Sequence, residues 1–385
     1  MKRIRHLATF AILGAAGTLV TVAALKQPTA SPIEPARRPV AAKPKKIQVA
    51  LLLDTSGSMD GLIDQAKSQL WRIVNELASA QRDGQTAQVE IALYEYGKQT
   101  VSAEDGFVRR ILPFTTDLDR VSEELFALTT NGGDEYCGRA LQEAVTGLEW
   151  SSGKDDLRLV FIAGNESFDQ GPVAPATAIA LARGKDIHVN VIHCGGDDPT
   201  WRDGAALAMG EYMTIDHNQR VVAIAAPQDA EIQRLGAELN RTYIAYGAQG
   251  EESCARQEAQ DKNAVAVEQG AAIQRMMSKA SVAYRNSTWD MVDAVADGTL
   301  DLAKDDAVPE EMKKMTLEQR KAHVAAAASK RKELQAKIRA LSTEREKFVE
   351  AEATRQGIAG ASTLDAAVVK VVRTQAEKAG YAFRK

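Results

Sequence analysis

Three cysteines in 385 residues are too few to hold a fold together with disulfides. Positive charge is not in excess either: 48 basic against 52 acidic side chains leave a net charge of −4. A general nucleic-acid binder is expected to carry the opposite sign. What remains, 45% hydrophobic and 26% charged, is ordinary globular composition, neither collagenous nor wholly disordered. The length allows roughly two to three folding units.

No acid appears before Glu34, while Lys2, Arg3 and Arg5 precede an uncharged run from Leu7 to Leu25. This layout predicts export, with residues 1–26 acting as a signal peptide or as a retained membrane anchor. Val22-Ala23-Ala24 offers small residues for cleavage, and the run is also long enough to span a bilayer. The expected location is therefore the periplasm, or the periplasmic face of the inner membrane. Removing residues 1–26 takes away four cations and no acid, leaving −8. Residues 27–46 hold five of the eleven prolines among Arg37, Arg38, Lys43, Lys45 and Lys46, which makes a stiff, solvated linker.

From Ile47 short apolar runs alternate with amphipathic stretches, the pattern of strands alternating with helices. Strands are expected at Ile47–Leu53, Val89–Tyr96, Phe107–Leu112, Leu157–Ala163, Ile187–Cys194 and Val221–Ala225. Helices are clearest at Leu62–Leu77 and Leu141–Leu148. The link between the second and third strands is too short for a crossover helix, so they should pair antiparallel at one edge. The fold class is α/β: a doubly wound, mostly parallel sheet with one antiparallel edge strand over residues 47–247, followed by helical extensions. Residues 248–308 read as a helical extension packed on that domain. Residues 309–385 read as a charged helical tail that opens with a capping box at Thr316 and Gln319. Leu334, Ile338, Leu341 and Phe348 make one apolar seam in the tail, interrupted by Arg331 and Arg345. The seam suits either a coiled coil or a helix lying on its own domain. The tail carries +7 and residues 27–308 carry −15, which favours docking of the tail on the acidic body or on an anionic surface.

The first strand runs into Asp54-Thr55-Ser56-Gly57-Ser58, and open α/β sheets bind ligands at the carboxyl ends of their strands. One carboxylate and two hydroxyls turned together by Gly57 are hard oxygen donors for Mg²⁺ or, alternatively, Mn²⁺ or Ca²⁺. The plainer alternative is that Asp54, Ser56 and Ser58 cap the following helix.

These residues resemble the opening of the von Willebrand factor type A domain, whose metal-ion-dependent adhesion site begins with Asp-x-Ser-x-Ser after the first strand. The resemblance covers about Ile47 to Gly247. It implies a non-catalytic module that binds a partner protein through the ion, with a partner carboxylate completing the coordination. Two loops depart from the family pattern. Gly132-Gly133 is followed by Asp134 and Glu135 where a threonine is usual, and the fourth strand runs into Gly164-Asn165-Glu166 where an aspartate is usual. The expected ligand set is Asp54, Ser56, Ser58, Asp134 and Glu166, with Glu135 and Asn165 as additional metal or partner contacts. The Gly-Asn-Glu variant, with the Trp289-Asp290-Met291-Val292-Asp293 stretch, looks like a bacterial envelope-associated subgroup.

Cys137 and Cys194 both fall near the top of the sheet, and export would permit a disulfide between them, leaving Cys254 as a thiol; three separate thiols are the alternative. His188 and His193 lie on opposite faces of one strand and read as structural. A phosphatase-like hydrolase with Asp54 as nucleophile is the enzymatic alternative, but Ser56 stands where such enzymes carry an acid/base aspartate. A third reading is a structural envelope protein with a vestigial metal site and a helical interaction tail.

Overall fold

A computed structural model describes residues 44–218, 224–304, 308–357 and 363–383. The expected signal or anchor, most of the linker, and Val221, Val222 and Ala223 of the expected sixth strand lie outside the described residues. In chain order the first elements are β1 (Lys46–Asp54), α1 (Asp60–Ser79), β2 (Ala80–Arg82), β3 (Gln85–Thr86), β4 (Gln88–Tyr96) and β5 (Val108–Thr115). Next come α2 (Leu118–Ala127), α3 (Cys137–Gly147), β6 (Leu157–Gly164), α4 (Pro175–Gly184), β7 (His188–His193), α5 (Pro199–Leu207) and β8 (Tyr212–Thr214). The remainder is helical, with α6 (Asp229–Asn240), α7 (Gly250–Val267), α8 (Gln269–Lys279), α9 (Met291–Ala296), α10 (Glu310–Lys313), α11 (Leu317–Gln356) and α12 (Leu364–Lys378). A short β9 (Ala382–Phe383) follows.

The main sheet has the order β5-β4-β1-β6-β7-β8, parallel throughout except for the β4–β5 edge. Strand β1 is covered on both faces, so it reads as a nearly continuous apolar run. Ile47, Val49 and Leu53 face one core with Leu62, Leu70 and Val74 of α1, while Ala50 and Leu52 face the other with Leu141 and Val145 of α3. The sixth strand of the sheet is Tyr212–Thr214; of the expected Val221–Ala225, the described residues Ile224 and Ala225 are not in a strand. Three residues of β8 pair with three of β7, too short a stretch to leave an alternating pattern.

The tail does not project as a coiled coil. Leu334 and Ile338 of α11 are fully buried against Ile232, Leu235 and Leu239 of α6 and Ile273 of α8. The two arginines that interrupt the seam are buried too. Arg331 pairs with Asp290 and Arg345 with Asp229. Helix α12 then returns to the sheet domain, where Leu364, Val368, Val371 and Val372 join the core beneath α1. Arg373 pairs with Glu76 of α1, Arg72 of α1 with Asp365, and β9 adds to β2 in a three-stranded sheet of order β3-β2-β9. The basic tail thus spends part of its charge on acids of the body.

The extension is fastened to the domain by a buried cation. Arg275 of α8, fully buried, bonds Asp119 of α2 at 2.5 Å and Asp261 of α7 at 2.8 Å, with its guanidinium 4.3 Å from the Trp71 ring of α1. Among the described residues no helix is long and apolar enough to cross a membrane.

Candidate metal centre

Asp54 closes β1 at the carboxyl end of the sheet and is completely buried. Its Oδ1 accepts the Ser56 N–H at 2.7 Å, which folds the chain back over the strand end. Its Oδ2 is buried and has no hydrogen-bond partner. A carboxylate oxygen out of water with no donor is costly unless a cation or a proton compensates it. Ser56 Oγ lies 3.4 Å from Ser58 Oγ, and Ser58 is exposed at the rim.

The second loop is held over this turn by backbone bonds, with Asn131 N–H donating to Thr55 O at 2.9 Å. Gly133 sits so close to Gly97 that a side chain there would strike the Gly97 carbonyl. Gly97 itself has φ of 79° and lies over the carboxylates: a methyl group on it would come within 2.7 Å of Asp54 Oδ1 and 3.0 Å of Glu135 Cγ. The glycines therefore make room for the acids.

Of the two consecutive acids in that loop, the structure brings Glu135 inward and leaves Asp134 outside. Glu135 is 5% exposed, and its carboxyl meets the side chains of Asp54 and Ser56. Asp134 is exposed and accepts the Tyr136 hydroxyl at 3.2 Å. The Tyr136 ring stands edge-on to Phe107, 5.5 Å between centroids, and the Glu135 N–H donates to Gln170 Oε1, which together fix the inward turn. Burial, then the adjacent Glu135 carboxyl, push the Asp54 carboxyl well above the usual carboxylate range, and burial raises Glu135 as well.

In the third loop Asn165 rather than Glu166 reaches the site. The Asn165 amide donates to Ser58 Oγ at 3.1 Å. Glu166 has an exposed side chain, its carbonyl accepts Trp201 Nε1 at 2.7 Å, and it acts on Glu135 through its charge and through a bond from its backbone N–H. His193, half of the expected structural pair, presents Nε2 to the Asn165 carbonyl at 3.1 Å and Nδ1 to Gly196 O at 2.6 Å. His188 contacts the Met209 carbonyl away from the site.

Tyr96 lies beneath the carboxylates, its hydroxyl donating to Ala163 O at 2.8 Å. Cys137, Cys194 and Cys254 are separate thiols in the structure, with no bond between Cys137 and Cys194. Cys137 Sγ approaches the Tyr96 hydroxyl at 3.7 Å. Burial pushes the thiols of Cys137 and Cys194 far up, so neither is a ready nucleophile or thiolate ligand.

Among the described residues no group of three or more His, Cys, Asp or Glu side chains is arranged to hold a metal. A cation at this end of the sheet would rely on two carboxylates, Asp54 and Glu135, together with the hydroxyls of Ser56 and Ser58. That donor set suits a hard divalent ion which keeps several waters. The orphaned Asp54 oxygen fits such an ion.

An open α/β sheet with a polar turn of this kind at its carboxyl edge defines a class of ligand-binding domain rather than a single protein. Residues 48–210 match the family model of the von Willebrand factor type A domain, and this part of the chain is such a domain. Domains of this family are generally protein-interaction modules and commonly bind divalent metals. No curated protein matches the chain. Among solved structures it is similar to proximal thread matrix protein 1 from the mussel byssus, at 13% identity and a TM-score of 0.34, covering 44% of this chain and 41% of that one. It is also similar to a von Willebrand factor type A protein from Catenulispora acidiphila, at 18% identity and a TM-score of 0.35, covering 45% and 39%. A third likeness is to an aerotolerance-related membrane protein from Bacteroides fragilis, at 17% identity and a TM-score of 0.30, covering 45% and 93%. The chain thus matches about two fifths of the length of the first two.

Proposed function

We propose that this protein is a non-catalytic binding module of the cell envelope that engages a partner protein through a divalent cation, Mg²⁺ or alternatively Mn²⁺ or Ca²⁺. Asp54, Ser56, Ser58 and Glu135 would hold the ion, with Asn165 orienting Ser58. The ion would neutralise the two buried carboxylates and offer its remaining positions to water and to a partner. Asp134 and Glu166, expected from the sequence as ligands, would border the site instead.

The observation that carries this reading is the Asp54 Oδ2 atom, buried with no N–H or hydroxyl donor, in a carboxyl pressed against a second buried carboxyl, Glu135. Helix capping, the plainer alternative, does not explain it. The first helix begins at Asp60 with Met59 at its cap position and no side-chain capping bond. The reading of a vestigial site with an adhesive helical tail is disfavoured as well, because the tail's apolar seam is largely spent on its own body.

Calorimetric titration of Mg²⁺ and Mn²⁺ into the purified chain tests the proposal against Asp54→Ala. Saturable uptake that the substitution abolishes, with the circular dichroism unchanged, supports it; no heat in the unaltered protein overturns it. Envelope residence is proposed on the basic and apolar opening of the sequence, and fractionation of cells expressing the tagged chain checks it.

A further inference from the structure

Asn131 is the only asparagine in the chain that precedes a glycine. It stands in the loop between α2 and α3, outside any helix or strand, and both Asn131 and Gly132 are exposed. The Asn131 N–H is spent on Thr55 O at 2.9 Å, but its side-chain amide and the Gly132 N–H have no hydrogen-bond partner among the described residues. A methyl group built on Gly132 would meet nothing within 4 Å, so its α-carbon faces open space. Without a side chain there, the Gly132 nitrogen can close on the amide carbon of Asn131. Other asparagines are shielded: Asn190 is buried and bonded to Gln375, Asn75 of α1 bonds Gln274, and Asn286, which precedes a serine, is 6% exposed. Asn165 is half-buried, precedes the bulky Glu166 and gives its amide to Ser58.

We propose that Asn131 is a site of spontaneous deamidation, and that its isoaspartate product disables the candidate metal centre by shifting the loop that carries Glu135. The Gly132 amide nitrogen loses its proton to solvent and attacks Asn131 Cγ; the bond from Cγ to the side-chain nitrogen breaks and ammonia leaves, closing a succinimide ring. Water then opens the ring. Attack at Cγ gives aspartate at 131, whereas attack at the main-chain carbonyl leaves the chain running through Cβ and Cγ as isoaspartate. Nothing is oxidised, and one water is exchanged for one ammonia. Within the loop Asn131 is tied to Thr55 O, and Gly133 packs so closely on Gly97 that a Cβ there would lie 2.5 Å from the Gly97 oxygen. An extra main-chain methylene between these two anchors cannot be absorbed while both hold. Glu135, two residues on, takes up the displacement, and its carboxyl is the one that meets Asp54. The aspartate product keeps the chain length and adds only a charge. The effect on the ion rests on its being held as proposed above; the modification does not.

For the test, the full chain is aged in warm, mildly alkaline buffer and digested in acid, so that digestion itself adds no deamidation. Mass mapping should show the peptide holding residue 131 gaining one mass unit ahead of those holding Asn165 and Asn286. An isoaspartate-specific carboxyl methyltransferase should label that same peptide. Gly132→Ala, which the open space and the ordinary φ of Gly132 allow, should slow the gain severalfold and keep Mg²⁺ uptake through the same incubation. Calorimetric Mg²⁺ titration of the aged, unaltered chain should lose stoichiometry in proportion to its isoaspartate fraction, while fresh Asn131→Asp retains uptake. A residue-131 peptide that changes no faster than the other two, or equally fast in Gly132→Ala, overturns the modification. Isoaspartate at 131 with Mg²⁺ uptake intact overturns its effect on the site. A fresh, unaltered chain that takes up no Mg²⁺ overturns the metal reading and that effect with it, and the mass gain alone then decides the modification.

Discussion

Arg331 of α11 grips Asp290 through two hydrogen bonds of 2.6 and 3.0 Å, and both side chains are buried. Asp290 also caps α9 by accepting Asp293 N–H at 3.0 Å and receives the Ile244 N–H at 2.9 Å. The guanidinium lies 4.1 Å from the Tyr243 ring, which itself stacks on Trp289. The Trp-Asp-Met-Val-Asp stretch singled out in the sequence is therefore a clasp for the long helix.

Arg331→Met should destabilise the protein by about 3–5 kcal/mol, because it leaves the Asp290 charge buried without its partner. Urea unfolding measures this. Adding Asp290→Asn to Arg331→Met should recover part of the loss, since no lone charge then remains; a double variant weaker than the single one would contradict the buried pairing.

Gly97→Ala and Gly84→Ala make a matched pair for the site. Both glycines have positive φ, 79° and 75°, so each substitution should cost about 1–2 kcal/mol of backbone strain. Only at Gly97 does the new methyl group press on Asp54, whereas Gly84 faces open space. Mg²⁺ affinity should fall about tenfold to a hundredfold for Gly97→Ala and stay unchanged for Gly84→Ala, as read by calorimetry.

Removing residues 358–385 should abolish cooperative unfolding, since it strips Leu364, Val368, Val371 and Val372 from the core beneath α1. Leu364→Ala, a milder change at the same surface, should cost about 2–5 kcal/mol. A truncated chain with an unaltered urea midpoint would show α12 to be dispensable. Deletion of the tail is accordingly no clean test of whether the tail binds a partner.

Lys279 gives a pH dependence with a definite sign. Burial pushes its ammonium down to about 8, against the opposing pull of Asp261, and it also bonds the Asn240 side chain. Below pH 8 the lysine is protonated in both states and its buried charge weighs on the fold. Between about pH 8 and 10 the folded state has shed the proton while the unfolded state keeps it, so this residue's contribution to stability rises with pH. The unfolding free energy of the unaltered protein minus that of Lys279→Met should climb across that window and be level from about pH 6 to 7.5. A level difference throughout would refute it.

Much of the sheet was legible because its strands are covered on both faces. Ile47–Leu53 and Leu157–Ala163 fall within a residue of β1 and β6, and the short polar link from Gly97 to Gly106 forces the antiparallel edge. The edge strand β8 was not legible, since its three residues are only partly buried and bring no alternation. Asp54 and Ser56 were legible as a converging pair. Which of Asp134 and Glu135 turns inward was not, because neighbouring acids are equivalent in sequence and the choice is made by Phe107 and Gln170 from other loops. Arg331 and Arg345 read as breaks in an apolar seam. Their acids lie 41 and 116 residues away, and only folding reveals that the charges are matched.

The Tyr381 hydroxyl, near the chain's end, donates to the carbonyl of Lys46 at 3.0 Å, where the first strand starts. The start of β1 and the residue after α12's C-terminal turn thus meet at one pole, while Asp54 sits at the far end of a nine-residue strand, about 30 Å away. A fluorophore, an affinity handle or a surface linkage placed beside Lys46 or Tyr381 would leave the opposite loops unobstructed.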